Sequence, residues 1–508
     1  MKGLASLAQG WRLRGQGLID PWLAVFWRLI APLQAWRGGS KLLGTPLLGG
    51  LLVLLLVLLP FLENSQTGLL TMAIAVVWFL LWLTDVRPAQ QNLTNSNQLD
   101  PSQDQDIESP DSATQSQPKQ HYFTPVHTPL LAYWMIALVA TALSSVRVAA
   151  FDGLVKLTLY MVTFACLNRV MMLGWRSWCV GAYLLSALAV CAYGVQQAVL
   201  GAAELATWTD PTSELAGITR VYSFLGNPNL LAGYLMPVLP LGLAAFWRWS
   251  AWGWRSLAGL VAVAGAYCLV QTQSRGGLLG LAAEGVAIVL LLVFWWGKRL
   301  PKWALPSAVG GMGGVFLLAA VAVPTLRKRL GSIFGGDDSS NAFRVNVWQS
   351  VINMIKAKPI LGIGPGNKAF NQVYPLYQRS GFSALGAYSV PLELTVETGL
   401  IGVICYGWLV VTIFRLGWQL LNQLRQWRNP DGIWLIAGLA TLVGMLVHGL
   451  VDTVWYRPQV QLLWWLCIAL VTSFYGSLSY ETASATDQSP DQSEDQPKSV
   501  IDFPPALE

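Results

Sequence analysis

The chain has 508 residues, of which 54% are hydrophobic and only 11% charged, with a formal net charge of +6. A soluble domain carries about twice that share of charge, and a mean hydropathy of +0.48 argues against one as well. What remains is an all-α polytopic membrane protein: several apolar runs reach the roughly 20 residues needed to cross a bilayer core, and the alternating short segments of a transmembrane β-barrel do not occur.

In chain order, residues 1–41 are basic and Trp-rich, mixing Trp11, Trp22, Trp27 and Trp36 with Arg12, Arg14, Arg28 and Arg37. The stretch is too long for the n-region of a secretory signal. It suits a cytoplasmic segment lying in the membrane interface with its guanidiniums on lipid phosphates, and a solvated tail is the blander reading. Residues 42–85 read as a hairpin of two spans, 42–62 and 68–85. Residues 86–127 form a cytoplasmic linker, polar and without aromatics through Gln120, too poor in apolar surface to order itself. Residues 128–477 hold ten further spans, at 128–146, 151–168, 177–199, 230–247, 256–273, 276–297, 304–324, 389–414, 432–454 and 459–477, which makes about twelve in all. The acidic tail 478–508 has the composition of the linker.

Orientation follows from lysine and arginine in the short loops. With the N-terminus inside, the cytoplasmic side collects Arg169, Arg176, Arg248, Arg255, Lys298, Arg299, Lys302, Arg415, Arg425 and Arg428. The outer side keeps Arg147, Arg220, Arg275 and Arg457. Both termini are therefore expected in the cytoplasm, with the protein in the inner (plasma) membrane. The large segment 325–388, between spans nine and ten, is then extracytoplasmic. Its "NAFRVNVWQSVINMIKAKP" reads as an amphipathic helix, with Asn341 as N-cap, Phe343, Val347, Val351 and Met354 on the apolar face, and Pro359 as the stop.

The outward charges carry the functional reading. Arg275, in "QTQSRGGLLG", stands where Gly276 and Gly277 open a helix. Snorkelling would explain it, and so would an anion site, because helix N-termini attract negative charge and arginine adds a bidentate donor. Arg220 precedes Asn227-Pro228-Asn229, a helix start with proline in the first turn, while Pro237 and Pro240 should bend the helix that follows. Arg344 is a third outward arginine, with Trp348 one turn on along the same face. Three such arginines suggest one anionic ligand. Asp152 and Lys156 are four apart and pair as a structural element. Glu284 lies about 13 Å deeper than Arg275 at 1.5 Å per residue and is a candidate because ionisable groups in spans are rare. His448 and Asp452, also four apart, suit either proton transfer or a structural hydrogen bond. The six cysteines fall in or beside apolar runs with no CxxC, and the three histidines lack metal-ligand spacing, so no metal and no cofactor is implied. "LGIGPGNKAF" lacks the GxxxxGK pattern and reads as a tight turn, so neither nucleotide nor nucleic acid is an expected partner.

The stretches "GLVKLTLYMVTFACLNRVM", "RVYSFLGNPNLLAGY", "QTQSRGGLLGL", "FRVNVWQSVINMIKAKPILGIGPGNKAFNQVYPLYQRSG", "LELTVETGLIG" and "HGLVDTVWYRPQ" together resemble the bicarbonate transporter (IctB) family of cyanobacteria. That family lies within the O-antigen ligase-like (Wzy/WaaL-type) superfamily of polytopic membrane proteins, and the resemblance covers about residues 125–477. It implies a role in inorganic carbon (bicarbonate) accumulation or transport. The alternative it implies is an extracytoplasmic, metal-independent glycan ligase that moves a saccharide from an undecaprenyl-diphosphate carrier to an acceptor. In the ligases outward arginines hold the diphosphate, which maps onto Arg220, Arg275 and Arg344. A loop histidine in a His-Asn pair activates the acceptor, and here Tyr388-Ser389 stand at that place. Catalytic candidates are thus Tyr388, His448 and Asp452, with Glu393 of "LELTVETGLIG" as a further one. The ligand is a lipid-linked diphosphate glycan or bicarbonate, and membrane lipid surrounds the protein.

Overall fold

The structure is a computed structural model that describes residues 44–85, 123–202, 220–297 and 339–475, with isolated positions between 301 and 314. The expected interfacial segment and tail, the linker through residue 122, and almost all of the ninth span lie outside the described residues. Every described element is helical, with no strand among them. Seven helical stretches are long and apolar enough to cross a membrane, and three shorter apolar helices join them. Each expected span other than the ninth coincides with one of these helices.

The first two helices are α1 (Thr45–Leu58) and α2 (Asn64–Asp85), followed by α3 (His127–Ala142), α4 (Arg147–Val170) and α5 (Arg176–Leu200). Sequence alone separates α4 from α5. In the structure a π-turn over Met171–Trp175 joins them, and the chain reverses at Gly174, whose φ is 97°. The ends of α4 and α5 far from this turn return to one face of the bundle. Asp152 of α4 pairs there with Lys156 and with Lys368, and Gln197 of α5 accepts from the Tyr222 and Ser223 amides. This end is called the loop face below.

Helices α6 (Pro228–Leu235) and α7 (Val238–Arg248) are one apolar stretch broken at Pro237, as expected from a ring that removes a hydrogen bond and clashes with the preceding turn. Next come α8 (Trp252–Gln271) and α9 (Arg275–Trp296), then α10 (Ser339–Ala357) and the short α11 (Asn367–Val373). The last three are α12 (Val390–Gln426), α13 (Gly432–Val451) and α14 (Pro458–Thr472). Helix α14 is buried on every side, with Trp464 and Trp465 in the core. At the end opposite the loop face, Arg248 pairs with Asp431 at 2.6 Å and Arg176 donates to the Ser473 hydroxyl and carbonyl.

Helix α10 begins at Ser339, so Asn341 sits inside the first turn and is not the cap expected of it. The apolar face is as expected: Val347, Val351 and Met354 are buried and Phe343 packs beside them. The helix stops before Pro359. These side chains form a separate apolar cluster with Ile363, Phe370, Val373 and Val396, which fixes residues 339–389 on the start of α12.

Helix α12 runs twelve residues past the expected span because Leu416, Leu420, Leu421 and Leu424 continue its buried stripe beyond the apolar core. It is kinked at Gly399, φ 68°. The kink releases backbone groups that latch the turn 359–366: Ile363 and Gly364 donate to the Val396 and Glu397 carbonyls at 2.9 Å, and Leu400 donates to the Pro359 carbonyl at 2.8 Å. The Gly366 amide donates to the Glu397 carboxylate at 2.8 Å. A Cβ on Gly399 would collide with the Ile360 carbonyl, and φ near +68° is unfavourable for any L side chain. Gly399→Ala is therefore expected to release this latch, at a cost of about 2–3 kcal/mol. Faster proteolysis around residues 360–366, with a lower melting temperature in detergent, is the readout.

Candidate functional site

The site begins with the seam between α9 and α13. Gly276 and Gly280 lie four apart on α9, facing Gly444 and His448, four apart on α13. A Cβ built on Gly276 would lie 2.8 Å from the His448 ring, and one on Gly280 would lie 2.8 Å from the Gly444 carbonyl oxygen. Small residues let the two backbones approach as closely as membrane helices do, and this sets His448 against the first turn of α9. Ser274 caps that turn by accepting from the Gly277 amide at 3.2 Å. Arg275 follows at the first helical position and is only 9% exposed.

Arg220 reaches the same turn, where its Nε donates to the Thr272 carbonyl at 2.9 Å. A terminal nitrogen donates to Asn229 Oδ1 at 2.9 Å. Asn229 stands in the first turn of α6, which Asn227 caps by accepting from the Asn229 and Leu230 amides. The other end of the same amide, Asn229 Nδ2, donates to Asp452 Oδ2 at 2.6 Å. Arg344, on α10, meets that oxygen too, at 3.4 Å. Residues from four separate stretches of sequence are thereby tied into one cluster on the loop face.

Two expected arrangements change. Asp452 does not share a helix face with His448: α13 ends at Val451, and Asp452 is extended, at φ −151° and ψ 153°. Its carboxylate is taken by Asn229, Arg344 and the Thr453 amide. His448 is 1% exposed, and neither ring nitrogen has a hydrogen-bond partner among the described residues. Glu284 lies farther along the same seam, against Gly444, fully buried, and it does not reach the cluster. Its two oxygens likewise have no hydrogen-bond partner among the described residues.

The wall of the site comes from the stretch before α12. The Ser389 amide donates to Thr453 Oγ1 at 3.0 Å, and Glu393, buried, accepts from the Ala387 amide at 2.7 Å. Between them Tyr388 takes φ 50°, with its ring edge-on to Phe343 at 5.7 Å. Burial, then the Asp452 charge, pushes the Tyr388 phenol up to about 12. Trp348, one turn beyond Arg344, is half-buried, and its indole N–H is buried and has no hydrogen-bond partner among the described residues. Sequence reasoning missed Asn229, Thr272, Ser274 and Thr453. Ser274 carried a signal, since serine three residues before Gly277 at a helix start is a cap pattern. Asn229 was quoted only as part of a helix start, and nothing local marks it as a bridge.

Comparison with known proteins gives two findings. Residues 234–407 match the family model described as O-Antigen ligase. The chain is also 29% identical over 230 residues to the exopolysaccharide production protein ExoQ of Rhizobium meliloti (strain 1021), across 42% of this chain and 51% of that protein. It thus spans about half the length of the curated relative it matches. Over residues 234–407 the chain is similar to the O-antigen ligase family. The matched region contains Arg275, Glu284, Arg344, Trp348, Tyr388 and Glu393, while Arg220, His448 and Asp452 lie outside it. Neither finding supports the narrower expectation of a bicarbonate transporter of the IctB kind.

Proposed function

We propose that this O-antigen ligase-like chain transfers a saccharide from an undecaprenyl-diphosphate carrier to an acceptor hydroxyl at the extracytoplasmic face of the inner membrane. The observation that carries the reading is the cluster itself: Arg220 and Arg344 joined through Asn229 and Asp452, beside the capped N-terminus of α9 with Arg275. Guanidiniums and helix N-termini are the groups that best hold phosphate oxygens. Their place at the end of an apolar bundle leaves the isoprenoid in the bilayer.

The reaction is a displacement at the anomeric carbon. The acceptor oxygen forms a bond to that carbon, the bond from carbon to the diphosphate oxygen breaks, and its electron pair stays on the diphosphate. Arginines stabilise the charge that accumulates there. The acceptor proton must go to a base. His448 is the better candidate, lying against Gly276 in the first turn of α9 with no ring nitrogen occupied among the described residues. Tyr388, whose phenol ionises only near pH 12, is a neutral wall and hydrogen-bond donor. Tyr388→Phe is accordingly expected to lower turnover less than tenfold and to leave the pH–rate profile between pH 6 and 10 unchanged. A profile that loses its alkaline-side dependence in this variant would make Tyr388 the base.

The proposal is tested with the purified protein in lipid nanodiscs, given a glycan-loaded undecaprenyl-diphosphate carrier and an acceptor. Release of undecaprenyl diphosphate in step with acceptor glycosylation is expected. Absence of release with every native carrier lipid tried would overturn the reading.

A further inference from the structure

Asp452 is an odd residue to find in a site for anions. It is 9% exposed, it touches Arg344, and through Asn229 it is linked to Arg220. A carboxylate here repels a phosphate, although both of its oxygens are used as acceptors, one by the Thr453 amide and the other by Asn229 and Arg344. The Arg344 contact is also long, 3.4 Å, where a charge-assisted pair settles at about 2.7–2.9 Å. This is a loose partner that a ligand can replace.

We propose that Asp452 sets the charge of the site so that it matches the glycosylated donor and not the spent carrier. The inference rests on the diphosphate reading above. Three arginines less one aspartate leave a balance of two positive charges. A diphosphate esterified at both ends carries one negative charge per phosphate, which that balance neutralises. Transfer removes the sugar and frees the outer phosphate as a monoester, whose second ionisation lies near pH 6, so the product carries close to one more negative charge. With Asp452 present that extra charge has no counterpart. As the donor's phosphates take over the guanidiniums, Asp452 falls back on Asn229 and the Thr453 amide, and after the bond breaks it favours departure of the trianion. It is a positioning residue that governs release; it does not touch the reacting carbon.

The test uses the full-length protein in nanodiscs and undecaprenyl diphosphate as the probe. For the wild type and Asp452→Asn, product affinity, donor KM and the time course of the first turnovers are measured. Asp452→Asn should bind undecaprenyl diphosphate about tenfold or more tightly, the scale of one unit charge at close range in a partly solvated site. Its later turnovers should be slower than its own first one, giving a burst followed by a slow steady state. Asp452→Ala removes the same charge without placing a donor against Asn229 and should also tighten product binding, so the inference stays testable if Asp452→Asn is unstable. Unchanged product affinity relative to donor in a folded variant, or weakening in both variants, would overturn the role of Asp452 while leaving the transferase reading intact. A wild-type protein that binds no undecaprenyl diphosphate would overturn both.

Discussion

Arg275→Ala is expected to lower transfer from a lipid-linked diphosphate donor by about 10²- to 10³-fold in kcat/KM, the range found when one charged or oriented donor is taken from a developing oxyanion. Arg275 stands at the first position of α9, 9% exposed, behind the Ser274 cap and beside the His448 ring that packs on Gly276. A guanidinium there offers two parallel N–H donors in a plane, in the field of a helix N-terminus. Arg275→Lys keeps the charge and loses the fork, so it should recover only a small part of the activity. Full activity in Arg275→Ala, measured in the nanodisc assay on protein of normal melting temperature, would reduce Arg275 to a snorkelling interface residue.

The second large effect is structural. Gly280→Val should destabilise the protein by about 3 kcal/mol or more, because the added Cβ would stand 2.8 Å from the Gly444 carbonyl oxygen and 2.7 Å from the Met236 methyl. The first of these is backbone, which cannot rotate away, so α9 and α13 must separate. Overpacking a close-packed interface costs about 1–3 kcal/mol even where side chains can yield. Separation would also carry His448 away from the first turn of α9, so activity should fall with stability. The control is Gly407→Ala on α12, where a Cβ meets nothing within 4 Å. It is expected to leave the melting temperature in detergent unchanged. Equal melting temperatures for Gly280→Val and wild type would show that the seam is not close-packed.

Whatever depends on a local run of residues was legible beforehand. An apolar stretch long enough to cross a bilayer announces itself whatever surrounds it, and so the long apolar helices fall where hydropathy placed them, whereas the short α11 carried no such signal. The Asn227 cap, the break at Pro237 and the stop before Pro359 are equally local. What escaped depends on neighbours distant in sequence. Helix α12 outruns its apolar core because α13 and α14 give its leucines a surface to pack on. Gly174 reverses the chain through a φ of 97°, and a glycine in the turn Met171–Trp175 does not announce its backbone angle. The spacing of His448 and Asp452 promised a pair only if the helix continued, and α13 ends between them. The arginines were visible singly as outward charges. That Arg344 meets the Asp452 carboxylate directly and Arg220 reaches it through Asn229 is a property of the folded bundle, since the participants are 108, 9 and 223 residues apart.

The central claim is that the arginine cluster on the loop face holds a diphosphate. A cryo-electron microscopy map of the protein in nanodiscs with undecaprenyl diphosphate, alongside the triple variant Arg220→Ala, Arg275→Ala, Arg344→Ala, tests it most directly. The account predicts two phosphate densities within hydrogen-bonding distance of all three guanidiniums at the first turn of α9, and none in the variant. Phosphate density elsewhere on the protein, or density that persists when the three arginines are gone, would contradict it.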